Sequence, residues 1–215
     1  MSKIFLIAGL GADTRIYKNI DLDGYEVIRV SWIEPDKTDT LASYAQKLIF
    51  QYHITEKSIV IGNSLGGMIA VEIANVIPID KTVLISSIKT IDEAPWYFSL
   101  FRALPVYKLI PGKSFSKLGP LIKPIFGKMN DGSGRLFNDM LAKSSPVFLK
   151  WAMGAVLYWD NKTIPPNIYH IAGDKDMIFS YKKLKNVILV KGGTHIMVFD
   201  RAVEINKILK DILKK

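Results

Sequence analysis

Short apolar segments alternate along the chain with longer segments in which apolar residues recur every three or four positions. The short segments are rich in β-branched residues and predict six strands, at residues 3–8, 25–30, 58–61, 82–86, 167–172 and 187–190. Strands that are apolar on both faces are typical of a parallel sheet covered by helices on either side. The pattern therefore predicts an α/β fold, with a doubly wound, mostly parallel sheet of about six strands.

Helical periodicity fills the gaps between these strands. One helix is indicated by apolar residues from Leu41 to Tyr52, with Thr38 or Thr40 available as its N-cap. Residues 66–77 are apolar nearly all round, which predicts a buried helix that Pro78 ends. The last helix carries one apolar stripe between Ile205 and Leu213.

Residues 88–166 interrupt this alternation, because they contain helical patterns but no strand. Prolines divide the segment, residues 131–134 (Asp-Gly-Ser-Gly) predict a loop, and Ser145 followed by Pro146 predicts the start of a helix. The segment is too long for an ordinary connection between two strands. We interpret it as a helical lid inserted into a core formed by residues 1–87 and 167–215.

The strongest chemical motif is Gly62-Asn63-Ser64-Leu65-Gly66, which lies between a predicted strand and a predicted buried helix. A G-x-S-x-G sequence at such a junction predicts a nucleophile elbow, a sharp turn that exposes the serine hydroxyl above the sheet. Small residues are needed two positions before and after the serine, and Gly62 and Gly66 meet that need. Ser64 is therefore the candidate nucleophile.

A serine hydroxyl requires a base, and the chain has three histidines. His195 follows the last strand, at the sheet edge where ligands bind in open parallel sheets, and is the candidate base. His53 ends a helix and is interpreted as a surface residue, while His170 lies inside a strand and is interpreted as a packed, hydrogen-bonded residue. The acid that orients the base should leave the same edge, where the candidates are Asp174, Asp176 and Asp92.

With these motifs in this order, the chain resembles the α/β-hydrolase superfamily over almost its whole length. The resemblance implies that Asp176, three residues after Gly173, is the acid and that Asp174 is a polar neighbour. Some members take the acid from the preceding strand, which keeps Asp92 open. Because the chain starts almost directly with a parallel strand, we expect a minimal α/β-hydrolase fold without the family's amino-terminal β-hairpin.

The resemblance also implies an oxyanion hole made of the backbone N–H groups of Leu10 and Leu65. It implies a serine hydrolase that cleaves a carboxylic ester or thioester with a hydrophobic acyl or aryl group through an acyl-enzyme. The same scaffold also serves as a small-molecule receptor with little turnover, and the same triad as a lyase or carbon–carbon hydrolase. Aromatic residues of the insertion are either lid core or an acyl pocket, namely Trp96, Tyr97, Phe98, Phe101, Trp151, Tyr158 and Trp159.

Composition and charge limit the kinds of cofactor and partner that we expect. The 215 residues include no cysteine and no clustered metal ligands, so we expect neither a metal nor another cofactor. The net charge of +9 comes from dispersed lysines, which argues against nucleic acid as a partner. No apolar stretch is long enough for a membrane span and no secretory signal is evident, so we expect a cytoplasmic protein. One acid-free stretch suggests weak contact with anionic surfaces, and it holds Arg102, Lys108, Lys113, Lys117, Lys123 and Lys128.

Overall fold

The computed structural model describes residues 2–105, 127, 129 and 131–214, and within them six strands form a single parallel sheet. The strands are β1 (Lys3–Ile7), β2 (Glu26–Arg29), β3 (Ile59–Asn63), β4 (Lys81–Ile85), β5 (Ile168–Gly173) and β6 (Ile188–Val190). Their order across the sheet is β2-β1-β3-β4-β5-β6, and each neighbouring pair is parallel. The predicted fold class is confirmed, and every predicted strand is present to within two residues at each end.

The described residues also form seven α-helices. They are α1 (Leu41–Tyr52), α2 (Leu65–Val76), α3 (Tyr97–Ala103), α4 (Asp131–Lys143), α5 (Pro146–Leu157), α6 (Met197–Asp200) and α7 (Ala202–Leu213). Thr40, rather than Thr38, caps α1, because its side chain accepts the N–H of Ser43 while the hydroxyl of Ser43 accepts the N–H of Thr40. Ser145 caps α5 and Pro146 is its first residue, as predicted.

Apolar side chains alternate between the two faces of the sheet and build two core layers. On one face, Phe5 and Ile7 of β1 pack in the same cluster as the buried residues of α1 and α2. On the other face, Ile4 and Leu6 share a cluster with Ile205, Leu209 and Ile212 of α7. Helices cover both faces of the sheet, which explains why the strands show no polar–apolar alternation.

The predicted loop at residues 131–134 is wrong, because this segment is the first turn of α4. Glycine disfavours helix by about 1 kcal/mol relative to alanine, so local preference did not indicate one. Burial of Gly134, Phe137, Met140 and Leu141 on a single face compensates for that cost. Gly134 lies on this face, where a small residue suits close packing.

Some predictions lie outside the described residues, including those on Lys108, Lys113, Lys117, Lys123 and Lys128. Arg102 is described, and its guanidinium donates to the backbone oxygens of Leu157 and Trp159 at the carboxyl end of α5. That position favours a cation because unpaired carbonyls carry partial negative charge there. Among the described helices, none is long and apolar enough to cross a bilayer.

The strand order reverses between β1 and β3, since the chain proceeds from β1 to one side and from β3 to the other. Crevices outside the carboxyl ends of strands at such a reversal are the usual ligand sites of open α/β sheets. Leu10 follows β1 and Ser64 follows β3, so both candidate residues lie at this crevice.

Candidate active site

Ser64 occupies a strained turn between β3 and α2. Its backbone has φ of 53° and ψ of −119°, a conformation that L-residues rarely adopt. The glycines around it are required by close backbone approach. A Cβ on Gly62 would lie 2.1 Å from the carbonyl oxygen of Gly66, and one on Gly66 would lie 2.2 Å from the carbonyl oxygen of Ile7. The turn therefore has the predicted geometry of a nucleophile elbow.

The structure brings Ser64, His195 and Asp176 together over the sheet edge. Nε2 of His195 lies 3.0 Å from Oγ of Ser64, and Nδ1 lies 2.9 Å from Oδ2 of Asp176. The imidazole and the carboxylate are both almost completely buried. The geometry allows a proton to pass from the serine hydroxyl to Nε2 while Nδ1–H remains bound to the carboxylate.

The backbone that follows β5 holds the carboxylate of Asp176 in place. Oδ1 accepts the N–H of Ile178 at 2.8 Å and that of Phe179 at 2.9 Å, which leaves Oδ2 for His195. These N–H groups replace part of the hydration that the carboxylate loses on burial. One carboxylate oxygen therefore binds the backbone and the other binds His195.

The alternative acids lie elsewhere. The carboxylate of Asp174 accepts the N–H of Gly192 at 2.6 Å, and so links the loop after β5 to the loop that carries His195. Asp92 is exposed on a short turn at residues 91–93. Of the three candidates, Asp176 is the one that the structure pairs with His195.

The other two histidines lie in different surroundings, one at an exposed helix end and one in a buried strand. His53 is exposed at the carboxyl end of α1. His170 is buried in β5, where Nε2 lies 3.0 Å from the carbonyl oxygen of Ser87. Burial and the nearby charge of Lys89 lower the pKa of His170 to about 4, so the ring is neutral near pH 7.

Ser87 was not identified from sequence, although it supports the elbow directly. Its hydroxyl donates to the carbonyl oxygen of Ser64 at 2.7 Å, and a Cβ on Gly67 would lie 2.5 Å from its side chain. The residue follows β4, the neighbour of β3 in the sheet, so its position at the same edge was the available signal. A lone serine after a strand carries no motif of its own.

The two expected oxyanion donors lie beside Ser64. A Cβ on Gly9 would lie 3.2 Å from Cβ of Ser64, so the loop after β1 packs directly against the elbow. Leu10 and Leu65 line one cavity together with Ser64 and His195. Within the described part of the chain, neither backbone N–H has a hydrogen-bond acceptor. Both remain available to an oxygen in the cavity.

The cavity above Ser64 has a volume of about 610 Å³ and an almost entirely apolar lining. Helix α3 contributes Tyr97, Phe98 and Phe101, while four methionines also line it, namely Met68, Met140, Met153 and Met177. The methionines were not predicted, because their convergence depends on how α2, α4 and α5 pack. Trp151, Tyr158 and Trp159 lie along a different cavity, and Trp96 is exposed.

Comparisons with known proteins agree with this architecture. The sequence profile described as the Alpha/beta hydrolase family matches residues 4–208. No functionally curated protein matches the chain by sequence. A hydrolase from Pseudomonas aeruginosa PA01 superposes with a TM-score of 0.79 at 15% identity, covering 100% of this chain and 90% of that one.

Two further solved structures are similar. The enol-lactonase from Burkholderia xenovorans LB400 gives a TM-score of 0.78 at 16% identity, covering 100% of this chain and 92% of that chain. A structure from a study of carboxylesterases of the thaumarchaeon Nitrososphaera gargenis gives 0.74 at 19% identity, covering 99% and 90%. At these identities the likeness establishes the fold alone.

Proposed function

Because the chain belongs to the alpha/beta hydrolase family, we propose that it is a serine hydrolase of carboxylic esters or thioesters. The observation that carries the proposal is the hydrogen-bonded series from Asp176 through His195 to Ser64, which opens onto an apolar cavity. The similarity to an enol-lactonase and to carboxylesterases supports an ester bond as the target.

In the first half of the reaction, Oγ of Ser64 attacks the carbonyl carbon of the ester and Nε2 of His195 takes its proton. Asp176 holds Nδ1–H and stabilises the imidazolium that forms. The tetrahedral intermediate collapses when the imidazolium returns the proton to the leaving alcohol or thiol, so that the acyl group remains on Ser64.

In the second half, His195 removes a proton from water as the water attacks the acyl carbon. The second tetrahedral intermediate releases the carboxylic acid, and the proton returns to Oγ of Ser64. In both intermediates the N–H groups of Leu10 and Leu65 bind the oxyanion. One such donor contributes about 3 kcal/mol to transition-state stabilisation.

The lining of the cavity supports a hydrophobic acyl or aryl group as the preferred substrate portion. Residues 88–166 provide much of that lining through α3, α4 and α5, in keeping with a lid over a core of residues 1–87 and 167–215. Each methylene buried in an apolar site contributes about 0.8 kcal/mol, or about threefold to fourfold in kcat/KM. We expect kcat/KM to increase at each step from acetyl to hexanoyl esters until the cavity is filled.

The test is the hydrolysis of aryl esters of graded acyl length by the wild-type chain and by Ser64→Ala. The exposed Ser99 provides a matched control, Ser99→Ala. We expect Ser64→Ala to lose at least about 10⁴-fold in kcat, since it removes the nucleophile, and Ser99→Ala to match the wild type. Equal turnover by Ser64→Ala and the wild type would refute the proposal, and ligand binding without any turnover would favour a receptor.

A further inference from the structure

A second cavity lies along a different face of α5 from the catalytic one. Its volume is about 880 Å³, and it is lined by residues 35–37 and 39–42, by α5 and by the segment that follows α5. Within α5, Met153, Val156 and Leu157 line the catalytic cavity, whereas Trp151, Gly154 and Ala155 line the second. In α2, Met68 lines the catalytic cavity and Glu72 lines the second. The two spaces are therefore separate, and the proposed hydrolysis does not use the second.

Glu72 is the unusual residue of this cavity, because its carboxylate is buried and no cation among the described residues pairs with it. The residue is 7% exposed, and its Oε1 accepts the indole N–H of Trp159 at 2.5 Å. Within the part of the chain that the structure describes, Oε2 has no hydrogen-bond or ion-pair partner. Glu72 itself lines the cavity, so a molecule there can reach its side chain.

The other charges along the cavity do not neutralise Glu72. Asp36 and Asp39 are both bound to Nζ of Lys47. The exposed Asp160 adds a second negative charge near Glu72, and burial together with Asp160 raises the pKa of Glu72. Lys37 and Lys150 line the cavity as well, but both are exposed and form no ion pair with Glu72. A carboxylate in this position is destabilised until a cation approaches it.

The remaining lining is aromatic and aliphatic. Trp151, Tyr158 and Trp159 line the cavity, together with Leu41 and Val147. Aromatic rings attract organic cations, and apolar walls accept a hydrocarbon body. The combination suits a molecule with an ammonium group at one end and an apolar body at the other.

We propose that the second cavity is a binding site for an organic ammonium compound, with the carboxylate of Glu72 as counter-ion and hydrogen-bond acceptor. The ammonium group donates to Oε2 while Trp159 continues to hold Oε1. The proposal is independent of the serine hydrolase function, since the two cavities share no lining residue.

The test is isothermal titration of the full chain near pH 7.5 with phenethylammonium and its neutral counterpart 2-phenylethanol. We expect the ammonium compound to bind at least about tenfold more tightly, because its positive charge pairs with the carboxylate, whereas the alcohol offers only a neutral donor. Equal affinity for the two compounds would overturn the proposal.

Variants locate the site. Glu72→Gln keeps an acceptor for Trp159 but removes the charge, so phenethylammonium should bind at least about tenfold more weakly. The exposed Glu204 gives a matched control, and Glu204→Gln should leave the affinity unchanged. Wild-type affinity in Glu72→Gln would contradict the assignment.

A further variant keeps the proposal testable if Glu72→Gln does not fold. Gly154→Leu adds a side chain at a position that lines the second cavity and replaces glycine by a better helix former. We expect it to fold and to lose phenethylammonium binding while retaining ester hydrolysis. Retained binding would place the site elsewhere and refute the proposal.

Discussion

The proposed chemistry depends on a few side-chain atoms that backbone groups hold in place. Asp176 is oriented by two N–H groups, and the carbonyl of Ser64 is held by the hydroxyl of Ser87. Residue types and positions were enough to select Ser64 and His195 from sequence, whereas Asp176 was preferred over Asp174 and Asp92 only through the resemblance to the family. The hydrogen bond of Ser87 was not predictable, because it depends on the register between β3 and β4.

Asp176→Asn tests the orientation of the imidazole. The amide oxygen should take the place of Oδ1 and accept the N–H groups of Ile178 and Phe179, which turns the NH₂ group toward His195. Nδ1 must then accept, so Nε2 carries the proton and cannot take one from Ser64. We expect kcat to fall by about 10³ to 10⁴-fold with KM little changed, measured with an activated aryl ester.

Asp174→Asn is the matched control for that substitution, because its amide oxygen can still accept the N–H of Gly192. We expect it to retain kcat to within about tenfold, since it does not change the charge facing His195. A larger loss in Asp174→Asn than in Asp176→Asn would show that Asp174, rather than Asp176, is the acid.

His170 should make stability depend on pH. Its pKa is lowered from 6.5 to about 4 by burial and by Lys89, with Glu93 and Ser87 acting in the opposite direction. The unfolded chain therefore binds more protons between these values, and stability falls as the pH drops from about 6.5 toward 4. At pH 7.5 the protonation of His170 costs the protein no stability. At pH 5 it lowers the free energy of unfolding by about 2 kcal/mol.

The measurement is the free energy of urea unfolding of wild type, His170→Gln and the exposed control His53→Gln at pH 7.5 and 5. His170→Gln should show a decrease between the two pH values that is smaller by about 2 kcal/mol. His53→Gln should follow the wild type. An identical pH dependence in all three proteins would rule out a buried neutral His170.

At the scale of elements, the site results from the packing of β1, β3 and α2 at the point where strand order reverses. The strands and α2 were predictable because apolar runs and the glycines of the elbow specify them locally. The start of α4 was not, because Gly132 and Gly134 disfavour helix and burial of Phe137 and Met140 overrides that preference. Local patterns therefore identified the elements of the sheet better than those of the insertion.

Gly66→Ala tests the close approach of α2 to β1. The added methyl group would lie 2.2 Å from the carbonyl oxygen of Ile7, and backbone atoms on both sides limit relaxation. We expect the free energy of unfolding in urea to decrease by about 3 kcal/mol.

Gly24→Ala is the control for Gly66→Ala, because a methyl group there meets nothing within 4 Å although the φ of 88° is unfavourable. It should cost about 1 kcal/mol from backbone strain alone. A smaller effect at Gly66 than at Gly24 would show that α2 does not lie against β1 as described.

For the whole molecule, the sequence predicted the fold class and the meeting of three distant residues, because the carboxyl ends of parallel strands share one edge. It did not predict the shapes of the two cavities. Those depend on which faces of α2 and α5 point to each side, as Met68 and Glu72 illustrate. Substrate preference is therefore a property of tertiary packing, whereas the proposed reaction type follows from motifs.

The most direct test of the account is to locate the covalent adduct formed by a fluorophosphonate, which reacts with serines activated by a neighbouring base. The wild-type chain and Ser99→Ala should each gain the mass of one adduct, and peptide mass spectrometry should place it on Ser64. Ser64→Ala should gain none. An adduct on another residue, or equal labelling of Ser64→Ala, would contradict the claim that His195 activates Ser64 as a nucleophile.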